Sequence, residues 1–584
     1  MKKSLDNTIG ASSNQQEAAS VPVSKSSSLR ITDIVCNIDT GESFYKVRYI
    51  DCDGKVVRKL IGREQFLKPA HVVNILVKAH WACPDGQDKC VQIVNDAVRR
   101  RRKQRYRVTK RTGWYEGTTF VYPTQTFGQL GGQLRYEAGS NEIDPALGLR
   151  RGNIQGWREG LREPCRYSDY LVLTVSTPFA GTLLDVVGEE EGATMHLHGT
   201  DRQARRRDEL KTKSTSGKTL ATRAAASTMG SCRKNDLITF AITERAVEDY
   251  CFARNSLAAT FDEEGRSLSS GHGPKMKSTQ LAYMIPSGRG AVRSSKATRD
   301  QDLQNLSWAE FAISTGEKPL DSNAVQRSEG VQVRMISVPV PPGRKGGIFN
   351  KVEGPGRAQK ARRLAEKTEE IISAHSGIAM PAYLRKLVPQ RGSKLARRIR
   401  RIIEKFVRRV GADVEPWERR FATKFGLILA GAILVAEFGV APWTDKRAWR
   451  AITRIYRKAR AAIVSVQDAT DDLTRRLRKL VTAGKRFPEI KKGKTLGAER
   501  ARKAWGVVKV LPNGRRVVLI KLERLRDLVR PAAIVGQVLT ELCNRGIALK
   551  SGGKLTRQVM IQGFTGDKRR RYVCLDYSKL SAQP

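Results

Sequence analysis

The sequence predicts a multidomain, mainly α/β protein in which a parallel sheet carries the chemistry and strongly basic helices follow it. Three observations predict this. Residues 193–345 alternate short apolar runs with helical stretches, the rhythm of a parallel sheet with crossover helices. A Ser/Gly-rich motif, STSGKT at 214–219, opens one of those helices. The 584-residue chain is also strongly basic, with 107 Lys and Arg against 58 Asp and Glu and a net charge of +49. That length is more than one compact core organises, so several units are expected. Apolar residues make up 40% of the chain, enough for packed domains and against wholesale disorder. The charge excludes an ordinary enzyme of small metabolites and calls for a polyanionic partner, of which nucleic acid is the commonest. It is lopsided: 54 basic and 19 acidic residues fall in 357–584, giving that part +35.

Each element follows from local pattern. Residues 1–28 are rich in Ser, Ala and Gln and are expected to be a disordered tail. A small α+β domain is expected over 29–110. There FYKVRYIDCDGKVVRKLIG alternates apolar and polar residues around Asp53-Gly54, a hairpin signature, and a helical pattern follows through 64–98. Residues 111–192 read as a lead-in: a hairpin-like stretch (RTGWYEGTTFVYP, 111–123), then packed helices over 157–188. The sheet core is expected over 193–356, with strands at Ala193–His198, Leu257–Phe261, Phe311–Ser314 and Val331–Val340, a helix at Lys218–Met229, and a Pro/Gly linker after Pro341. Basic helices fill 357–495. The clearest is 395–410, where Leu395, Ile399, Ile402, Ile403, Phe406, Val407 and Val410 form one apolar stripe and Arg and Lys take the other faces. In 496–584 a helix (AAIVGQVLTELCNRGI) precedes two strands around GFTGDK, the outline of a winged helix.

Nine cysteines without a Cys-x-x-Cys pair argue against a disulfide framework, and CPDGQDKC (Cys83, Cys90) offers at most half of a zinc site. No apolar run follows Lys2 and Lys3, so no signal peptide is expected. FGLILAGAILVA, twelve uncharged residues, is too short to cross a bilayer. A cytoplasmic protein without a membrane partner is the expectation.

The chemistry rests on STSGKT. Consecutive backbone N–H groups at a helix start cradle phosphates, so Ser214, Thr215, Ser216 and Gly217 would wrap them. Lys218 would reach the β/γ-phosphates of ATP, and the Thr219 hydroxyl would bind Mg²⁺. The glycine that usually opens such a loop, Gly199 at the end of HLHG, lies thirteen residues too early. The stretch TDRQARRRDELKT (200–212) reads as an insertion. About forty residues on, SLAATFDEE ends a strand in acids: Asp262 would hold Mg²⁺, and Glu263 would orient and deprotonate the attacking water. FAISTGE places Ser314 and Thr315 at another strand end, where they would sense the γ-phosphate. Arg334 is the candidate finger for a neighbouring subunit. SGRGAVRSSK reads as a basic hairpin, with Arg289, Arg293 and Lys296 available to hold single-stranded DNA. Arg557, Lys568, Arg569, Arg570 and Arg571 are the corresponding candidates on the wing.

RTGWYEGTTFVYP, LLDVVGEEEGATMHLHG, STSGKT, TFDEEGR, AYMIPSGRGAVR, FAISTGE and VQVRMISVPV, in this order, resemble the bacterial domain of unknown function 927 family, over roughly residues 40–584. That family is related to superfamily III helicases, includes inactivated members, and occurs in phages and in mobile elements of the staphylococcal-cassette type. The resemblance implies an AAA+-like P-loop ATPase core, a homo-oligomeric (hexameric) ring, and a helicase or translocase working on DNA during replication of such an element. It also implies a helical lid in which Arg420 or Lys424 would be a second sensor. The chain departs from the pattern at Ala291, where lysine is common, and at the 200–212 insertion. The alternative is an inactivated DNA-binding scaffold that keeps the fold without ATP turnover.

Overall fold

The computed structural model describes residues 29–84, 86–100, 103–137, 146–199, 216–240, 242–262, 284–291, 306–317, 329–412, 415–463, 466–490, 497–511, 514–529, 535–550, 555–559, 561 and 570–581. Residues 1–28, expected as a tail, lie outside the described residues. The chain divides into two compact units, one through Thr109 with residues 132–135 and one comprising the rest.

The first unit is a five-stranded sheet with two helices. Ser43–Ile50 and Val56–Gly62 form the antiparallel pair expected around Asp53-Gly54, and Arg30–Asn37 pairs Ser43–Ile50 on its other side. Alternation does the sorting: Tyr45, Val47 and Tyr49 point inward, onto Val72, Val73 and Leu76 of helix Pro69–Lys78 and Val94 of helix Gln87–Arg99. Cys90 is buried, and its thiol donates to the Pro84 carbonyl. Among the described residues no group of three or more His, Cys, Asp or Glu could hold a metal ion.

The second unit is built on a five-stranded sheet, which we number β1 (Thr194–Gly199), β2 (Ile238–Thr239), β3 (Ala258–Asp262), β4 (Phe311–Gly316) and β5 (Met335–Val340). Its order is β2-β3-β4-β1-β5, and every pairing is parallel. Strands buried on both faces read as continuous apolar runs, as these do, because helices cover both sides of such a sheet. The covering helices include α1 (Ile154–Tyr167), α2 (Asp169–Gly181), α3 (Lys218–Met229), α4 (Glu244–Ala253), α5 (Arg357–Ala374), α6 (Ser393–Val410), α7 (Pro416–Glu437) and α8 (Asp445–Ala462). All of α2 is buried. It lies against α7, where a Cβ on Gly431 would come 2.8 Å from the Ala180 nitrogen, so glycine permits the close approach. The Ala-rich face of α3 packs on the sheet and α2 in the same way. The apolar stripes of α6, α7 and α8 join the sheet in one continuous core. Among the described residues no helix is long and apolar enough to cross a membrane.

Three local expectations change. Val331–Val340 is not strand throughout: Glu329–Arg334 is a short helix, and Arg334 ends it just before β5. The stretch after Pro341 is not a free linker. Gly347 packs on Ser216, and Ile348, Phe349 and Val352 are buried in the core. The C-terminal strands are not a two-stranded wing either. Arg570–Asp576 pairs Arg557–Val559 on one side and Arg516–Lys521 on the other, inside a five-stranded sheet completed by Gly506–Val510 and Glu489–Ile490. Helices Val466–Thr482 and Val535–Asn544 share a core with Val518, Ile520, Val573 and Leu575 of that sheet.

Candidate functional site

Parallel register brings the chemistry to one edge. Gly199 lies opposite Val340, Gly316 opposite His198, and Ser314 opposite Phe261, so β1, β3 and β4 end together. Ligands of open α/β sheets bind beyond such carboxyl ends. The N-terminus of α3 points there. Gly217 has φ +80°, a left-handed turn that favours glycine, and it starts the helix at Lys218.

Two threonines converge on Asp262. Thr219 Oγ1 donates to its Oδ1 at 2.9 Å, and Thr315 Oγ1 donates to the same oxygen at 2.8 Å. Asp262 is 6% exposed and Thr315 2%. Behind them Ser314 Oγ and His196 Nδ1 share a hydrogen bond of 2.8 Å within the sheet. Lys218 is buried, and its Nζ meets Glu317 Oε1 at 3.0 Å, although the Glu317 side chain itself is 72% exposed. A Cβ on Gly199 would lie 3.9 Å from Lys218 Nζ and 3.6 Å from Glu317. The glycine that ends β1 therefore stands at the lysine despite the thirteen residues inserted between them in sequence. Ser216 Oγ is buried without a hydrogen-bond partner among the described residues. An unmet hydroxyl beside a buried lysine is a cradle with capacity left over.

The floor of this cradle comes from a segment the motif gave no hint of. The Ile348 N–H donates to the Ser216 carbonyl at 2.9 Å. Gly347 (φ +56°) has no room for a side chain, since a Cβ would fall 2.3 Å from that carbonyl, and the Ile348 side chain covers Gly217. The sequence signal was GRKGGIFN, a glycine pair before two apolar residues, which reads as a linker unless its partner is known.

The same edge carries a basic cluster that sequence reasoning missed. Asp169, fully buried at the start of α2, pairs with Arg447 and Arg454 of α8 at 2.6 Å each and accepts from Asn350 at 2.8 Å. Burial alone would raise its carboxyl, but Arg447, Asn350 and Arg454 outweigh burial and hold it below the ordinary range. Burial depresses the ammonium of Lys458 nearby, with Arg454 adding to it, and likewise that of Lys351, with Arg447 adding to it. The Tyr170 hydroxyl donates to the Pro339 carbonyl, which ties the cluster to the end of β5.

The remaining candidates lie elsewhere. The Arg334 guanidinium makes a bidentate pair with Glu191, at 2.7 and 3.1 Å, at the amino end of β1 and β5. Lys424 is at that end too: Nζ bonds the Glu191 carbonyl at 2.6 Å and Glu189 at 3.3 Å. This is the edge away from Gly199, so the second-sensor expectation for Lys424 is corrected, and Arg420 is an exposed residue one turn from it. Arg289 lies in a short antiparallel bridge with Ser307, flanked by Trp308 N–H to Gly288 and Gly290 N–H to Leu306, while residues 292–305 of the expected hairpin lie outside the described residues. Arg571 is exposed on its strand. Arg557 and Arg570 lie on paired strands. Ser214, Thr215, the 200–212 insertion, Glu263, Arg293, Lys296, Lys568 and Arg569 lie outside the described residues.

A parallel α/β sheet with a lysine, two threonines and an aspartate gathered at its carboxyl edge defines the class: a mixed α/β protein with a polar site beyond its strands. The chain belongs to the family described as domain of unknown function (DUF927), whose family model matches residues 6–302, just over half its length. Its fold is similar to that of a solved structure described as "SCCmec type IV Cch - active helicase", with a TM-score of 0.59 over 95% of both chains. Sequence identity is 14%, so that likeness is one of fold. No curated protein matches the chain.

Proposed function

We propose that the protein is a DNA-dependent ATPase of the helicase or translocase kind, working in replication of a phage or other mobile element and assembling as a homo-oligomeric ring. One observation carries this reading: Lys218, Thr219, Asp262 and Thr315 meet where β1, β3 and β4 end. The strand order supports it as well. Numbered by sequence the sheet runs 5-1-4-3-2, with the strand before the phosphate motif between the strands bearing Thr315 and Val340, which fits an AAA+-like P-loop core.

The residues present fit ATP and Mg²⁺. Hydroxyl and carboxylate oxygens are the donors a hard divalent cation prefers, and Thr219 and Asp262 already touch. Bound Mg²⁺ would neutralise charge developing on the terminal phosphate. Lys218 holds phosphate by exchanging the exposed Glu317 carboxylate for it. Ser216 offers its unmet hydroxyl and backbone at the helix start. Thr315, on the strand between β1 and β3, orients the Asp262 carboxylate and reports on what occupies the site. Glu263, next in the chain after Asp262, is proposed to take the proton from the attacking water, and Arg334 to reach a neighbouring subunit's site after leaving Glu191. Arg289, Arg293 and Lys296 on the expected basic hairpin, and Arg557 and Lys568 to Arg571 on the C-terminal sheet region, are proposed DNA contacts.

The test is Mg²⁺-dependent ATP hydrolysis with and without single-stranded DNA. Activity that DNA stimulates, lost in Lys218→Ala and in Glu263→Gln with ATP binding retained only in the latter, supports the reading. ATP bound but never turned over under any DNA condition replaces it with the scaffold.

A further inference from the structure

We propose that α6 and α8 together form the surface that grips the phosphate backbone of single-stranded DNA; this rests on the DNA-dependent reading above and names where its partner lies. Eight of eighteen residues in α6 are Lys or Arg against one acid, and α8 has seven against one. Burial puts those charges in one place. Leu395, Ile399, Ile403 and Phe406 of α6 and Ala448, Ile452 and Ile455 of α8 face the core, so the cations of α6 stay on the solvent side. The helices meet at an aromatic seam, with Phe406 6.1 Å from Trp449 and 5.5 Å from Tyr456 between ring centres, which makes the two basic faces neighbours.

The charges are not balanced from within. Among the described residues the ion pairs of these helices are Arg398–Glu437, Glu404–Arg419, Arg447 and Arg454 with Asp169, and Arg460–Glu418. Arg401, Lys405, Arg408, Arg450 and Arg457 meet no carboxylate among those residues. Arg401, Lys405 and Arg408 stand at i, i+4 and i+7 on one ridge, where like charges repel and cost helix stability until an anion lies across them. From Lys394 to Arg408 the ridge is about 21 Å long. An extended single strand spaces its phosphates roughly twice as far apart as the ~3.4 Å of the duplex axis, so the ridge spans about three of them. Trp449 positions part of the ridge: Lys405 Nζ lies 5.7 Å and the Arg409 guanidinium 5.3 Å from its ring centre, so both cations are held in place before any ligand arrives. A bilayer surface fits this face poorly. An interfacial helix must insert its apolar side, and the apolar side of α6 is committed to the core.

The experiment measures binding of the full-length protein to a fluorescent oligo(dT) across a salt series, with ATP binding followed alongside. The variant replaces Arg401, Lys405, Arg408, Arg450 and Arg457 by Gln. Affinity should fall at least about thirtyfold at ~0.1 M salt, and the log–log salt slope should shrink by about three, at ~0.7 per lost contact. ATP affinity should stay as in the wild type. A variant with Lys at all five positions should keep the slope, which separates charge from misfolding. A control replaces Arg58, Lys59, Lys68, Lys78 and Lys89, five exposed cations of the other unit, by Gln. The proposal is overturned if the control loses as much slope as the test variant, since net charge alone is then at work. It is also overturned if the test variant keeps oligo(dT) binding while losing only binding to anionic phospholipid vesicles. Wild-type protein that hydrolyses ATP but binds no DNA sinks this proposal and leaves the ATPase; wild-type protein that binds DNA through this face without hydrolysis does the reverse.

Discussion

Both ends of the central sheet carry a lysine about 6% exposed, and the two lysines are not alike. Lys424, at the amino end, is bonded to the main-chain carbonyl of Glu191 and to Glu189. Lys218, at the carboxyl end, is bonded to Glu317, a side chain mostly in water. A carbonyl inside the fold cannot be exchanged without unfolding something, whereas an exposed carboxylate leaves whenever a better anion arrives. Burial marks both lysines as important, and only the partner tells structure from site.

Four changes would break or sharpen the contrast. Lys218→Ala should lower ATP affinity by about a hundredfold to a thousandfold, read by calorimetry, while the melting temperature holds or rises because a buried ammonium is gone. If the melting temperature falls sharply and affinity does not, Lys218 is structural and the contrast collapses. Lys424→Met should do the converse, costing about 1–3 kcal/mol in urea unfolding by leaving the Glu191 carbonyl unmet, with ATP affinity within about twofold. A loss of ATP binding there would return Lys424 to the site. Glu317→Gln should tighten ATP by about threefold, because a neutral amide competes less well for Lys218 than a carboxylate does. Weaker binding would mean that Glu317 helps rather than yields. Ser216→Ala has the smallest expected effect: a gain of about 0.5 kcal/mol in stability without ligand, since a buried unmet hydroxyl is removed, and a loss of ATP affinity of less than about tenfold. Stability lowered by that change would show that the hydroxyl already has a partner in solution.

Much of the site was legible because its parts are local. STSGKT starts a helix at Lys218, FDEE ends a strand at Asp262, and FAISTGE ends another at Thr315; each is a strand or helix boundary readable from a few residues. What brings them together is the order of the sheet, and order is a long-range property that no short stretch of sequence carries. Arg334 was read as strand because VQVRMISV is rich in β-branched residues, yet its first residues continue a short helix that tertiary context imposes. The C-terminal strands read as strands but not as members of a larger sheet, because the strand at 516–521 that pairs with 570–576, and its own neighbour at 506–510, lie far upstream. Asp169 gave no signal, since nothing in the polar-then-apolar stretch RYSDYLV announces that two arginines almost three hundred residues later will close on it.

The contact between Gly347 and Ser216 changes how this chain can be taken apart. A proline- and glycine-rich stretch between a sheet and a set of helices is where one would ordinarily cut, nick with protease, or splice in a tag. Here that stretch is the floor beneath the STSGKT motif, with the Ile348 N–H bonded to the Ser216 carbonyl and its side chain over Gly217. A fragment ending at Val340 would keep every residue of STSGKT and lose the surface that shapes it, while one beginning at 357 would carry α7 and α8 with the faces they turn to α2 and β5 bared. Dissection at this seam would produce two halves that each look inactive, and the inactivity would belong to the cut.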